Sequence, residues 1–326
     1  DALVPVVDAG EVLTVDRDGR LEAHTADSGD RLWRMDLDLP ASAGPAADDR
    51  LIVVGGRDGR VIALERSTRS TIWTFQASSE VLARPLLMDR TVVVMSQDGR
   101  VYGLRPDTGA LRWVHDRTAP SLTLRGLADP LPLDGRVIVG LPNGRLLGLD
   151  AETGAELWEA RAGVPSGRSD IARMRDVVGR LALDRGVVFG SAYQGDTVAI
   201  GGGDGSLLWR RDLASIDGVA VDATRLFVVG GDGVVWALDR QSGDALWRQE
   251  ELRGARPTAP VVLGDAVVVL DRDGYLTVLE TAAGGLVARE RLDGAGFSEP
   301  LVASEDGLFA LSDDGRLFRL RLEPPR

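Results

Sequence analysis

The sequence predicts an all-β fold, an eight-bladed β-propeller of four-stranded antiparallel blades, and three observations carry that prediction. An Asp-Gly-type turn recurs eight times, with its glycines at Gly19, Gly59, Gly99, Gly144, Gly195, Gly233, Gly274 and Gly315. Their spacings of 40, 40, 45, 51, 38, 41 and 41 residues suit propeller blades rather than a helical solenoid. Six copies end 14 residues later in a tryptophan, at Trp33, Trp73, Trp113, Trp158, Trp209 and Trp247. Short apolar runs and turn residues fill the intervals, and no segment has a helical period.

Taken in order, residues 3–7 read as the first strand of blade one. In blade two, residues 51–54 form a continuous apolar run, the pattern of a strand covered on both faces by neighbouring blades. Blade three shows all four strands, at residues 85–88, 91–95, 100–104 and 110–113, with hairpins at Gln97-Asp-Gly99 and Asp107-Thr-Gly109. Asp-Gly suits such hairpins because it tolerates the positive φ of tight primed turns. Blade four turns on Asn143-Gly144, where left-handed geometry explains the chain's one asparagine. In blade five, Gly201-Gly-Gly-Asp-Gly205 falls at the third hairpin and reads as a flexible turn rather than a phosphate cradle. Blade seven repeats the buried run at residues 267–270 but carries Val287 near the tryptophan position. Blade eight offers three strands, near residues 301–302, 307–311 and 316–320, and its closing strand is expected from residues upstream of Asp1. The repeat runs end to end without a linker, so residues 1–326 read as one propeller domain.

A large flat side chain on each outer strand can wedge between blades and bury about 200 Å². The tryptophans therefore read as packing elements rather than a ligand cage. No apolar stretch approaches the roughly 20 residues of a membrane-spanning helix. The net charge of −12 argues against a nucleic-acid partner, which would need clustered positive charge. The chain has no Cys and no Lys, which removes disulfides, thiolate metal sites, thiol nucleophiles, Schiff-base chemistry and a phosphate-loop lysine. Asp16-Arg-Asp-Gly19, Asp271-Arg-Asp-Gly274 and Asp313-Asp-Gly315 look like the start of a calcium loop, but none is followed by the ligand series such a loop needs, and they read as hairpin turns. His24 and His115 fall on strands of different blades with no triad-like partners. No catalytic, metal or cofactor-binding residue is expected.

The segments Asp107-Thr-Gly-Ala-Leu-Arg-Trp113, Glu152-Thr-Gly-Ala-Glu-Leu-Trp158 and Gln241-Ser-Gly-Asp-Ala-Leu-Trp247 resemble the repeat of quinoprotein-type propellers. More specifically, Asp170-Ile-Ala-Arg-Met-Arg-Asp-Val177, Val188-Phe-Gly-Ser-Ala-Tyr-Gln-Gly195, Gly274-Tyr-Leu276 and Gly296-Phe-Ser-Glu-Pro300 resemble the BamB family, propeller lipoproteins of the bacterial outer-membrane β-barrel assembly machinery. The resemblance spans all eight blades. It implies a scaffold at the periplasmic face of the outer membrane, touching the membrane only through an N-terminal lipidated Cys outside this sequence. It also implies binding to the POTRA domains of the central barrel-assembly protein. The alternative on the same repeat is a quinone-cofactor dehydrogenase or a ligand-binding periplasmic propeller. Such dehydrogenases resemble longer chains with paired cysteines and Glu, Asn and Asp calcium ligands, which this chain does not match. Each outer strand also presents an edge on which unfolded outer-membrane protein strands could pair.

The two longest spacings are adjacent and arise from extended connections between blades, at residues 117–129 and 162–179. In an antiparallel meander both emerge on the face of the turns between second and third strands, flanking blade four on one rim. Leu122 and Leu124 have no obvious core to fill there, and Arg168, Arg173 and Arg175 make a basic cluster in an acidic protein. Ordered loops on a rigid scaffold are where binding residues concentrate. The resemblance implies that Leu122, Leu124, Arg125, Arg173 and Asp176 bind the partner. At Val178 the sequence departs from it, since an acidic residue is expected two places after Asp176.

Overall fold

The computed structural model describes residues 3–116, 122–164, 168–305 and 307–321. Among them are eight antiparallel sheets, each a meander in sequence order, arranged as an eight-bladed propeller. Blade one is typical, with strands Val6–Asp8, Glu11–Val15, Arg20–Thr25 and Arg31–Asp36. First strands of neighbouring blades touch, as from blade one through blade four and from blade five through blade eight, and the first strand of blade eight, Val302–Ser304, reaches that of blade one. Seven sheets have four strands; among the described residues blade eight has three, ending at Leu317–Leu320.

Second strands such as Leu51–Gly55 and Thr91–Met95 are buried along their whole length, because blades stack on both of their faces. The hydrophobic clusters accordingly lie between blades. One joins Val53 and Trp73 of blade two to Val92 and Leu104 of blade three, and another joins Trp113 of blade three to Val137 and Leu149 of blade four.

The tryptophans make these interfaces specific. In blade three, Trp113 pairs with Gly103 on the neighbouring strand, beside a bulge, and a Cβ on Gly103 would fall 2.1 Å from the indole. The other face of the ring covers Gly154, in the last turn of blade four, at φ +71°. The indole N–H donates to Ala151 O at 3.1 Å in that same turn. The arrangement recurs when Trp73, Trp158, Trp209 and Trp247 donate to the carbonyls of Pro106, Gly202, Arg240 and Thr281 in the following blade. Gly205, within the glycine-rich segment of blade five, is the turn glycine that receives Trp158. Trp33 differs, since Arg69 takes the glycine position at φ +62° and lays its guanidinium 5.5 Å from the indole centroid.

The register corrects one position. Ala288, opposite Val278, occupies the tryptophan place in blade seven, and Val287 beside it is exposed. Blade eight is held instead by Phe297 packed edge-on to Phe318, with centroids 5.8 Å apart. Closure against blade one rests on Phe309, Val12 and Ala26, and on Arg319, which donates to Asp27 O at 2.8 Å. A second stitch was not visible in the sequence. Arg66 and Arg240 each reach the hairpin of the preceding blade, accepting partners being Asp8 and its carbonyl for one, Asp184 and its carbonyl for the other.

Removing Trp113 empties a site closed on both sides by glycine, so Trp113→Ala should cost about 3–5 kcal/mol in a denaturant titration. Arg69→Gly should stay within about 1 kcal/mol of the parent, because relief of positive-φ strain offsets a cation–π contact of similar size. An unaltered midpoint for Trp113→Ala would contradict this packing.

Candidate functional site

The two long connections run from the outer strand Leu111–His115 to Leu131–Leu133 and from Glu156–Arg161 to Ala182–Asp184, so they flank blade four. Arg117 and Ser121 lie outside the described residues. The remainder is tied closely to the second hairpins of blades three and four. From the Gln97–Gly99 turn, the Gln97 amide donates to Leu124 O at 2.6 Å and to Thr123 Oγ1 at 3.2 Å, and its oxygen accepts from Gly126 N at 3.3 Å. That turn is itself braced by Asp98, which accepts from the hydroxyls of Ser78 and Ser96. Burial alone would raise the Asp98 pKa, but these two bonds and Arg100 hold it below the ordinary carboxylate value.

Asp176 joins the two connections. Its carboxylate accepts from Leu124 N at 2.6 Å and from Asn143 N at 3.1 Å, and its carbonyl accepts from Tyr193 N at 2.9 Å. Asn143 has φ 66° and ψ 21°, the left-handed conformation expected of it. Asp176 is only 1% exposed, so its carboxylate faces inward and acts by positioning the rim.

The other four expected residues are at or near the surface. Leu122 is 41% exposed and Leu124 half-buried. Arg125 grips Glu80 with two nitrogens, at 2.5 and 3.2 Å, while the guanidinium stays more than half exposed. Arg173 ends the short helix Asp170–Arg173, which Ser169 caps by accepting from Ala172 N, and pairs with Asp170. Its neighbour Arg175 points back to the carbonyls of Ala172 and Met174 and holds the connection in shape. Val178 lies beneath Gly126, where a Cβ would sit 3.7 Å away, so an apolar contact stands where an acid was expected.

Sequence reasoning missed Gln97, which occupies the same turn position as Arg57 and Arg272, and missed Glu80 as the partner of Arg125. It also passed over Ile171 and Val164, 60% and 57% exposed on the second connection. Together with Leu122 they give this rim apolar surface beside arginines. Such a surface can bind a protein through apolar anchors and charge-assisted hydrogen bonds.

A family model described as outer membrane protein assembly factor BamB matches residues 17–249 and 231–323. The assembly factor BamB of Alkalilimnicola ehrlichii is 49% identical over 321 residues, covering 98% of this chain and 84% of that protein. The factor of the same name from Pseudomonas aeruginosa is 42% identical over 97% of this chain and 83% of its own length. Among solved structures, that of BamB from Moraxella catarrhalis superposes with a TM-score of 0.90 at 27% identity, covering 97% of this chain and 95% of that one.

Asp176→Ala strands two backbone donors, each costing about 1–3 kcal/mol if left unpaired. The variant should lose about 2–4 kcal/mol of stability and show faster hydrogen exchange at the Leu124 and Asn143 amides. Unchanged exchange at both would contradict the positioning role.

Proposed function

This chain belongs to the BamB family of outer membrane protein assembly factors, and from that membership we propose that it is a non-catalytic accessory subunit of the outer-membrane β-barrel assembly machinery. In this reading it works at the periplasmic face of the outer membrane, held there by a lipid anchor outside the present sequence, as one propeller domain. Its partner is the set of POTRA domains of the central barrel-assembly protein. The observation that supports this most is the rim of blade four, where two connections are fixed by Gln97 and Asp176 and present Leu122, Leu124, Arg125 and Arg173 outward.

A preordered rim matters energetically, because loop ordering is a cost of binding that a fixed loop has already met. Leu122 and the half-buried Leu124 supply the apolar centre, and Arg125 and Arg173 supply charge-assisted donors. Both arginines already have carboxylate partners, the mostly covered Glu80 for Arg125 and the exposed Asp170 for Arg173. An exposed pair such as Arg173–Asp170 is worth about 0–1 kcal/mol, so exchanging it for a desolvated partner group costs little, and Glu80 keeps Arg57 nearby if Arg125 turns to a partner. The absence of Lys and Cys from the sequence fits a binding role. His24 lies beside Glu22 of its own blade and His115 beside Glu156 of the adjacent one.

Leu122→Ala and Arg125→Ala should each weaken binding to purified POTRA domains by about 2 kcal/mol or more, with thermal unfolding unchanged. Arg125→Glu should weaken it further. Wild-type affinity in all three variants would refute the site; weak binding together with early unfolding would make the connection a purely structural cap.

A further inference from the structure

Where the first strands converge, the axis opens on the same face into a funnel of about 360 Å³. Residues from all seven inter-blade connections, and from the segment leading into blade one, line it. Its volume falls at the lower end of small-molecule sites, about 300–1,000 Å³. The wall is charged, with Arg17, Arg84, Arg180 and the Glu80-paired Arg125 facing Asp129, Asp217 and Glu299.

These charges do not cancel in pairs. Asp129 accepts from Arg84 N at 2.7 Å and lies 3.9 Å from its guanidinium, which also donates to Pro5 O at 3.3 Å. Asp217 is compensated by Arg272 and Glu299 by Arg17 and Arg84. Arg180 alone among these arginines makes no side-chain hydrogen bond or ion pair with any described residue. Arg180 is exposed to the funnel, yet crowding by the surrounding wall and the neighbouring Arg84 depress its pKa, with Asp129 opposing, and an arginine stays protonated. The backbone beneath it is fixed, since Arg180 N donates to Asp217 O and Val219 N to Arg180 O, and a Cβ on Gly218 would lie 2.3 Å from Arg180 N. Arg180 thus holds its charge towards the funnel on a rigid base, with Asp129 as an opposing charge but no ion-pair contact with a described carboxylate.

We propose that the funnel binds the carboxylate of a small monoanionic molecule, with Arg180 as its principal anchor and Arg84 beside it. Arg180, with no partner side chain in contact, calls for one negative charge. A dianion would meet repulsion from Asp129 and Asp217, and the planar guanidinium fork matches a carboxylate. Glu299 tunes the site. The segment Gly296–Pro300 places it there, with Phe297 fully buried and Ser298 bonded to Asp313. Burial, Asp129 and Asp313 push the Glu299 pKa up to about 7 against Arg17 and Arg84, and burial pushes that of Asp217 up to about 6 against Arg272. As pH rises through these values the wall gains negative charge, so anion affinity falls.

The test is to titrate the intact chain with acetate and with inorganic phosphate at constant ionic strength, following the Arg180 side-chain Nε–H by NMR in the wild type and bound acetate by isotope-edited NMR throughout. Acetate should give a saturable shift, weaken several-fold from pH 6 to pH 8, and lose most of that dependence in Glu299→Gln. Arg180→Gln should bind at least tenfold more weakly while melting no earlier than wild type, since it breaks no bond. No saturable acetate binding, equal affinity in a folded Arg180→Gln, or tighter binding of phosphate than of acetate would overturn the proposal. The Arg173→Ala rim variant should retain full acetate affinity, and loss there would place the anion on the rim instead.

Discussion

Blades two to six of this propeller are each locked to the next by one indole laid between two positions too small to resist it. The sandwich needs Gly or Ala opposite the tryptophan within the blade, as at Gly103, Gly148, Ala199 and Ala237. It also needs a positive-φ glycine in the turn ahead, as at Gly154 and Gly243. The indole N–H then satisfies a turn carbonyl that the interface would otherwise bury unpaired, at 3.1 Å for Trp113 and 2.8 Å for Trp209. Area, shape and hydrogen bonding act at one point. The angle between blades is thereby fixed, and with it the diameter of the ring and the direction in which every connection leaves it.

Because the lock lies near the outer strand, the opposite ends of the blades are free to vary. The turns between second and third strands and the connections from blade to blade share one face, and insertions there leave the repeat intact. Blade four receives two such insertions. They do not hang loose: Gln97, Asn143 and Asp176 stitch them to the hairpins beneath, using one buried carboxylate to satisfy two backbone donors. Exposed Leu122 and Ile171 thus stand on a fixed base. The funnel opens on the same face, so Arg125 and Gly126 belong both to the rim and to the wall of the central cavity.

Much of this was legible because the repeat is written in residues with narrow tolerances. Glycine at a positive-φ turn and tryptophan at a blade interface leave few alternatives, so the eight blades, their hairpins and the turn roles of Asn143 and Gly205 follow from spacing. The missing tryptophan of blade seven was legible as well, and the 14-residue spacing from Gly274 points to Ala288, the residue the register sets opposite Val278, rather than to Val287. Side-chain direction is the part that spacing does not encode. Asp176 and Arg175 are charged residues of a surface connection, yet both turn inward to bind backbone, while the apolar Ile171 and Val164 turn outward. The pairing of Arg125 with Glu80 spans 45 residues and joins two different connections, so no local pattern announces it.

The rim of blade four as a partner-facing surface is open to one direct measurement, site-specific photocrosslinking in cells from a probe at Leu122, beside a control probe at the exposed Leu246 on the outer strand of blade six. The expected result is a dominant adduct between the Leu122 probe and the POTRA region of the central barrel-assembly protein, with little or none from Leu246. Adducts of equal yield from both positions, or no adduct at Leu122 while the protein is folded and abundant, would contradict it.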